Sequence, residues 1–225
     1  DVPTGGHELS AIFGERWKGF GDSSLDAWRR IMHGYLACTS FADWNVGGVV
    51  EALDEGGHGE DTIVIVTSDN GFHIGEKHHY GKSTLGEKSA NVPLWVRLPG
   101  KKHAGRECRA AVGLIDLYPT LRALCGLGTP PQQLDGHDIS SLLNDPDATW
   151  NHPAITTYGE GRFSVRSGPW RYIRYRDGQE ELYDHRSDPY EFENRADERA
   201  TESVRAEFRS HAPDAWAPSL GGRKG

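Results

Sequence analysis

Residues 62–70 read Thr-Ile-Val-Ile-Val-Thr-Ser-Asp-Asn, a β-branched apolar run that ends on one acidic and one amide side chain. The stretch from Ile63 to Val66 does not alternate apolar with polar. It therefore predicts a strand with both faces covered, as in a parallel sheet with helices on each side. Ligands of such sheets gather outside the carboxyl ends of the strands. Asp69 and Asn70 fall at that end, and Gly71 lets the backbone turn away from them. Asp and Asn offer hard oxygen atoms, which suit Ca2+, Mg2+ or Mn2+ better than zinc. The tripeptide Asp-Asn-Gly is also a common turn, since each residue favours turns on its own account.

The residues that follow change the balance. His73, Lys77, His78, His79 and Lys82 gather basic groups in a chain whose formal net charge is -8. An anionic ligand needs such local positive potential, whereas the overall charge argues against a general nucleic-acid binder. Lys77 and Lys88 are expected to be plain surface charges. His73 is expected to be a supporting loop residue, while His79, nearer Lys82, suits either a structural role or a part in the anion site. A zinc site built from His73, His78 and His79 lacks a recognised ligand spacing. Nothing in the sequence assigns a role to His78, His103, His137 or His185.

Elsewhere the pattern gives two regions. Residues 1–24 are rich in Gly, Pro and polar residues and read as an extended connection. From Leu25 to Leu53, apolar residues recur at helical intervals, predicting one long or broken helix packed on the sheet and ended by Gly56-Gly57. A second apolar strand, Pro93 to Leu98, stops at Pro99-Gly100, and Leu114 to Leu124 reads as a helix whose register Pro119 perturbs. Thr129-Pro-Pro marks a boundary, so residues 1–127 form one unit and 128–210 a second. Within the second, residues 154–158, 162–166, 170–175 and 181–183 are short strand candidates separated by Gly-rich or Asp-Gly turns, and a charged helix near 197–209 can cover one face. Residues 211–225, ending Gly221-Gly-Arg-Lys-Gly, are expected to be a disordered tail. No apolar run is long enough to span a membrane, and the opening Asp1-Val-Pro carries no signal-peptide pattern. The three cysteines suggest neither a disulfide framework nor a zinc site, so buried free thiols are expected, Cys38 being the clearest case.

The string Ser68-Asp-Asn-Gly-Phe-His-Ile-Gly-Glu-Lys-His-His-Tyr-Gly-Lys-Ser-Thr-Leu85, with Asn91-Val-Pro-Leu and Leu98-Pro-Gly, resembles the second signature region of type I sulfatases, in the pattern of iduronate-2-sulfatase-like and choline-sulfatase-like members. The resemblance runs on through most of the chain. Asp1-Val-Pro-Thr-Gly-Gly is similar to the family's linker after a substrate-binding histidine, and Tyr35-Leu-Ala-Cys-Thr-Ser-Phe-Ala-Asp43 with Val46-Gly47 to its long helix. Asp116-Leu-Tyr-Pro-Thr120 resembles a later helix, and Glu181-Leu-Tyr-Asp184, Asp188-Pro-Tyr-Glu191 and Asn194 resemble the closing pattern. The resemblance implies the C-terminal part of an alkaline-phosphatase-like α/β sandwich, followed by a small four-stranded antiparallel sheet with a helix. It also implies that Asp69 and Asn70 bind a divalent cation, usually calcium, that Lys82 contacts sulfate, and that His79 precedes the lysine where the family places a histidine. The ligand implied is a sulfate ester or sulfated glycan, and the location implied is exported: periplasmic, extracellular or lysosomal.

The same resemblance implies a formylglycine nucleophile, made from Cys or Ser in a Cys/Ser-x-Pro-x-Arg segment near the start of the protein, and an early Asp pair that completes the metal site. None of Cys38, Cys108 or Cys125 has that pattern, and the one match, Ser167-Gly-Pro-Trp-Arg171, follows the metal motif instead of preceding it and lies in a stretch that reads as sheet. The chain is thus expected to be a sulfatase fragment that works with a missing N-terminal part of the same protein. Two alternatives stand beside it: a phosphonate monoester or phosphodiester hydrolase of the same superfamily, and a non-catalytic metal-binding or structural protein.

Overall fold

The computed structural model describes residues 2–4, 6, 25–101 and 103–217. Most of the expected N-terminal connection, and residues 218–225 of the expected tail, lie outside the described residues. The long helix is present as α1, Leu25–Glu55, 31 residues without interruption. It ends as the paired glycines predict. Gly57 sits at φ 80°, the amide of His58 reaches back to the carbonyl of Leu53 at 3.1 Å, and that of Gly57 to Asp54 at 3.1 Å. That pattern closes the last turn with a left-handed residue, which glycine adopts without a Cβ penalty.

The first strand is β1, Val64–Thr67. Among the described residues it pairs with β4, Leu94–Arg97, in antiparallel register, Val64 opposite Arg97 and Thr67 opposite Leu94. The expectation of a parallel ladder with both faces buried is therefore corrected: the pairing is antiparallel, and Val64, Ile65 and Val66 are half-buried. An unbroken apolar run reports two apolar faces. It does not report the direction of the neighbour, which is set by the chain doubling back through residues 68–93.

That returning segment carries a two-residue ladder, β2, His73–Ile74, against β3, Tyr80–Gly81, and then a short helix α2, Glu87–Ala90. α1 touches this region near its start, where Trp28 Nε1 donates to the Ile74 carbonyl at 2.7 Å and Tyr35 stacks on Phe72 at 5.7 Å. It touches β4 near its end, where Asp54 pairs with Arg97 at 3.0 Å. Between these contacts Leu36, Phe41, Trp44 and Val49 stay exposed, Trp44 to 72%. The helix thus packs more sparsely than its apolar periodicity predicts. Cys38 lies on the uncovered stretch, and it, Cys108 and Cys125 are exposed free thiols; the expectation of burial is overturned.

Leu114–Asp116 form a single 3-10 turn that passes into α3, Leu117–Leu124. Beginning the α-helix at Leu117 puts Pro119 in its first turn, where the missing N–H would have had no partner in any case. The Asp116 carboxylate accepts from the amides of Gly113 and His137, each at 2.8 Å, and Thr120 Oγ1 accepts from the amide of Ile139. The Asp116–Thr120 motif therefore ties α3 to the segment leading into α4, Ser140–Asn144.

The four expected strands form one meander: β5, Ala154–Thr157; β6, Phe163–Ser167; β7, Trp170–Arg174; and β8, Glu180–Asp184, each antiparallel to the next. One face packs Phe163, Val165, Tyr172 and Leu182 against Phe208 of α5, Glu202–Arg209, with Ala196 completing the cluster. Ala212 and Trp216, within the stretch expected to be a tail, also lie against it. The other face carries Ile173, Tyr175 and Tyr183, and it receives Leu85 from the segment just before α2. Asn194 Oδ1 accepts from the amides of Leu182 and Ala196 at 3.0 Å, which fixes the return of the chain after β8. Ser167 and Arg171 flank the tight β6–β7 turn, where Gly168 sits at φ 50°, and Arg171 is buried in ion pairs; the Ser-x-Pro-x-Arg match is a hairpin, not a nucleophile segment.

Candidate active site

Asp69 and Asn70 stand one residue beyond the end of β1, after Ser68. The sharp departure of the chain is secured by Gly71, for a reason other than the one expected. Its backbone lies so close to the turn of α2 that a Cβ would meet the Lys88 carbonyl at 2.2 Å, and its amide donates to the Ser89 carbonyl at 2.9 Å. Close approach, rather than a left-handed conformation, requires glycine here.

Lys82 returns to this point from the far end of β3. Its Nζ donates to Asn70 Oδ1 at 2.7 Å, so two of the residues singled out in the sequence, 12 positions apart, meet. Asp69 is exposed and borders an open cleft of roughly 1090 Å³ whose lining also includes Arg106, Arg109, Arg166, Arg171 and Glu87. Beneath Lys82 the histidines form a buried brace. His79 Nε2 donates to the Lys82 carbonyl at 3.3 Å, the His79 ring meets the His73 ring edge-on at 4.8 Å, and His73 Nε2 is hydrogen-bonded with Thr84 Oγ1 at 3.0 Å. Thr84 passes the chain on to Ser89 Oγ at 2.9 Å. Burial, with the neighbouring His79 adding to it, lowers the His73 pKa from 6.5 to about 4, so that ring is neutral at ordinary pH. His79 thus contacts the lysine backbone, and His73 lies buried behind it.

Two non-glycine residues near Lys82 have left-handed backbones: Lys77 at φ 53° and Ser83 at φ 75°. Such conformations cost roughly 1–3 kcal/mol and persist where surrounding contacts over-determine them. Lys77 shows what those contacts are. Its side chain, 18% exposed, lies over the Tyr183 ring at 4.3 Å, donates to Tyr183 Oη at 3.1 Å, and comes within 3.9 Å of the Glu181 carboxylate. It is not the plain surface charge expected. Lys88 is closer to that description, lying 3.8 Å from Glu76 with a half-exposed side chain.

Sequence reasoning missed a second group. Glu87, at the start of α2, His185 and Glu191 bring ligand atoms within 4.8 Å of one another. Arg171 Nη2 pairs with Glu87 and its Nε lies 3.6 Å from Glu191; Arg166 reaches Glu87 at 3.6 Å, and His185 Nε2 lies 3.1 Å from Glu191 Oε1. Two guanidinium groups already neutralise these carboxylates, so the cluster is an ion-pair network and not a cation site. Burial pushes the Glu191 carboxyl up, but His185, Arg171 and the Glu87 amide together hold it below the ordinary range. The closing motifs carried the signal for Glu191, Arg171 was marked only by the Ser-x-Pro-x-Arg match, and His185 had no pattern that marked it.

Asp69 and Asn70 provide oxygen donors only, which fits a hard cation such as Ca2+. They could supply two of the roughly six to eight oxygens such a cation takes, and the carbonyl oxygen of Asn70 keeps a second lone pair beside the Lys82 contact.

Comparison with known proteins places the chain in a family. The chain is 36% identical over 169 residues to a sulfatase of Formosa agariphila, an alignment that covers 75% of this chain and 33% of that one. The chain thus spans about a third of the length of the curated relatives it matches. A protein solved in complex with its substrate D-glucosamine-2-N,6-O-disulfate superposes with a TM-score of 0.75 at 24% identity, covering 91% of this chain and 44% of that one. The phosphonate monoester hydrolase of Agrobacterium radiobacter gives a TM-score of 0.65 at 26% identity, covering 75% and 37%. The fold is thus the alkaline-phosphatase-like α/β arrangement of the sulfatases. The C-terminal family described as N-sulphoglucosamine sulphohydrolase matches residues 75–215, spanning the lysine loop and the meander. The sulfatase family itself matches residues 3–127, more than half of the 225, and it is to the sulfatases that this chain belongs.

Proposed function

We propose that the whole protein hydrolyses sulfate esters and that this chain supplies the sulfate-binding lysine and part of the metal site. The observation that carries the reading is the 2.7 Å contact between Lys82 Nζ and Asn70 Oδ1, which puts an ammonium against an oxygen ligand suited to a cation. A sulfuryl group bridging the two positions would meet positive charge from both sides. Asp69 and Asn70 would hold the cation, Ca2+ in the first place and Mg2+ or Mn2+ by the same donor chemistry. When bound, that ion supplies Lewis-acid polarisation of a sulfuryl oxygen and lowers the pKa of the attacking hydroxyl.

Lys82 holds another sulfuryl oxygen through a charge-assisted hydrogen bond, which strengthens as negative charge grows on the reacting group. His79 keeps the lysine backbone in place from below. The nucleophile, a formylglycine by the family's habit, comes from a part of the protein outside these residues. A sulfated glycan is the substrate class we favour, supported by the disulfated glucosamine bound to the structural relative and by the arginines along the cleft beside Asp69.

Phosphonate ester hydrolysis is the second reading, favoured by the likeness to the Agrobacterium enzyme. Turnover of an aryl sulfate and of an aryl phosphonate monoester by the whole protein separates the two: faster sulfate turnover is expected, and a preference for phosphonate would reverse the assignment. Lys82→Ala should lower sulfate turnover by about 100-fold while leaving circular dichroism unchanged. Unaltered turnover in that variant would remove Lys82 from the site.

A further inference from the structure

The segment presenting Lys82 is short, irregular and left-handed at two non-glycine positions, Lys77 and Ser83, so something outside it must hold its shape. The contacts of Lys77 identify the holder. Glu181, on β8 and 2% exposed, accepts hydrogen bonds from the hydroxyls of Tyr175 and Tyr183. Tyr183 in turn accepts from Lys77 Nζ at 3.1 Å, and the ammonium lies 3.9 Å from Glu181 itself. A carboxylate this deeply buried needs a compensating charge, and Lys77 is the cation the structure places against it. Leu85, packed beside Tyr175 and Tyr183, anchors the other end of the same segment. Lys82 lies between these two anchors.

We infer that Lys77, seated on Tyr183 and Glu181 of the C-terminal sheet, is a positioning residue that fixes the loop and thereby sets the place of the Lys82 ammonium beside Asn70. The inference rests on the reading of Lys82 as the sulfate-binding group. It gives the C-terminal meander a part in the reaction although none of its residues need touch substrate. Removing its ammonium releases the left-handed turn, lets Lys82 move, and leaves Glu181 with tyrosine hydroxyls only. Misplacement of a transition-state contact by an ångström can cost about 100-fold.

A double-mutant cycle in the whole protein tests this with sulfate-ester turnover as the readout. Lys77→Met should lower kcat by about 10-fold to 100-fold, and Lys77→Arg should recover part of the loss. In a Lys82→Ala background the same Lys77→Met change should cost less than about twofold, because a residue acting through Lys82 has nothing left to position. Equal losses in both backgrounds, or no loss in either, would overturn the inference while leaving the sulfate-site reading intact, provided Lys82→Ala alone is impaired. Full activity of Lys82→Ala alone would overturn that reading and this inference with it. Should Lys77→Met fail to fold, Tyr183→Phe, which removes the hydroxyl between Lys77 and Glu181, carries the same cycle with the same expected coupling.

Discussion

Replacing Arg171 by Met should expose how the lysine loop is fastened to the C-terminal sheet. Arg171 is 3% exposed and reaches Glu87 of α2, Glu191 after β8, and Ser164 Oγ on β6, the last at 3.2 Å. Methionine keeps much of the apolar stem, so the loss falls on the charge. Two carboxylates then share Arg166 and His185. Breaking a buried pair typically costs about 3–5 kcal/mol, and the retained Arg166 contact places the expected loss near the lower end, about 3 kcal/mol. The loss should also depend on pH. Without Arg171 the folded-state pKa of Glu191 rises. In the parent the contribution of this carboxyl is lost as pH falls through its lowered folded pKa, and without Arg171 less of it remains to lose, so the deficit should shrink as pH falls below the ordinary carboxylate range. Hydrogen exchange of the amides in residues 163–184, followed by mass spectrometry, reads the opening free energy of these strands directly. At pH 7.5 the variant should be less protected by a factor corresponding to about 3 kcal/mol, and the deficit should narrow at about pH 3, below the ordinary carboxylate range. Adding Glu191→Gln should return part of the protection. A deficit under about 1 kcal/mol, or one identical at both pH values, would show that the network is solvated and that the loop is held some other way.

Two further outcomes follow from the same sheet. Phe208→Ala removes the α5 side chain that packs against Phe163, Val165, Tyr172 and Leu182, and should cost about 3–5 kcal/mol in the same exchange measurement. Protection that stays within about 1 kcal/mol of the parent would mean that α5 does not close this core. For Glu180, burial raises the carboxyl, but hydrogen bonds from Arg209, Tyr172 and Arg205 overcome it and lower the pKa from 4.5 to about 2. Its stabilising contribution is therefore full above about 4.5 and is lost as pH falls towards 2. Acid titration followed by circular dichroism should show Glu180→Gln less stable than the parent at neutral pH, with the two curves converging near pH 2; a constant gap would disconnect Glu180 from the acid transition.

Much of the local structure was legible in the sequence because local physics sets it. The unbroken β-branched run gave a strand, Gly56-Gly57 a left-handed helix stop, and the four short segments with intervening turns gave a meander in chain order. The family resemblance named Asn70 and Lys82, which meet at 2.7 Å. Properties that depend on which distant surface covers a group were not legible. Apolar periodicity predicted a buried α1 and a buried Cys38, but periodicity states only that a face is apolar, and among the described residues most of that helix stays uncovered. Lys77 looked like a surface charge because its partners, Tyr183 and Glu181, lie more than 100 residues later in the sequence. Arg171 could be read only as part of a misplaced nucleophile pattern, until the fold showed it buried between Glu87 and Glu191. The sequence by itself determined the elements and the chemistry brought to the mouth of β1. Only the tertiary structure decided that a buried carboxylate on β8 and an ion-pair network under α2 hold that chemistry in place, because the strength of an ion pair depends on the solvent it excludes and not on the order of residues.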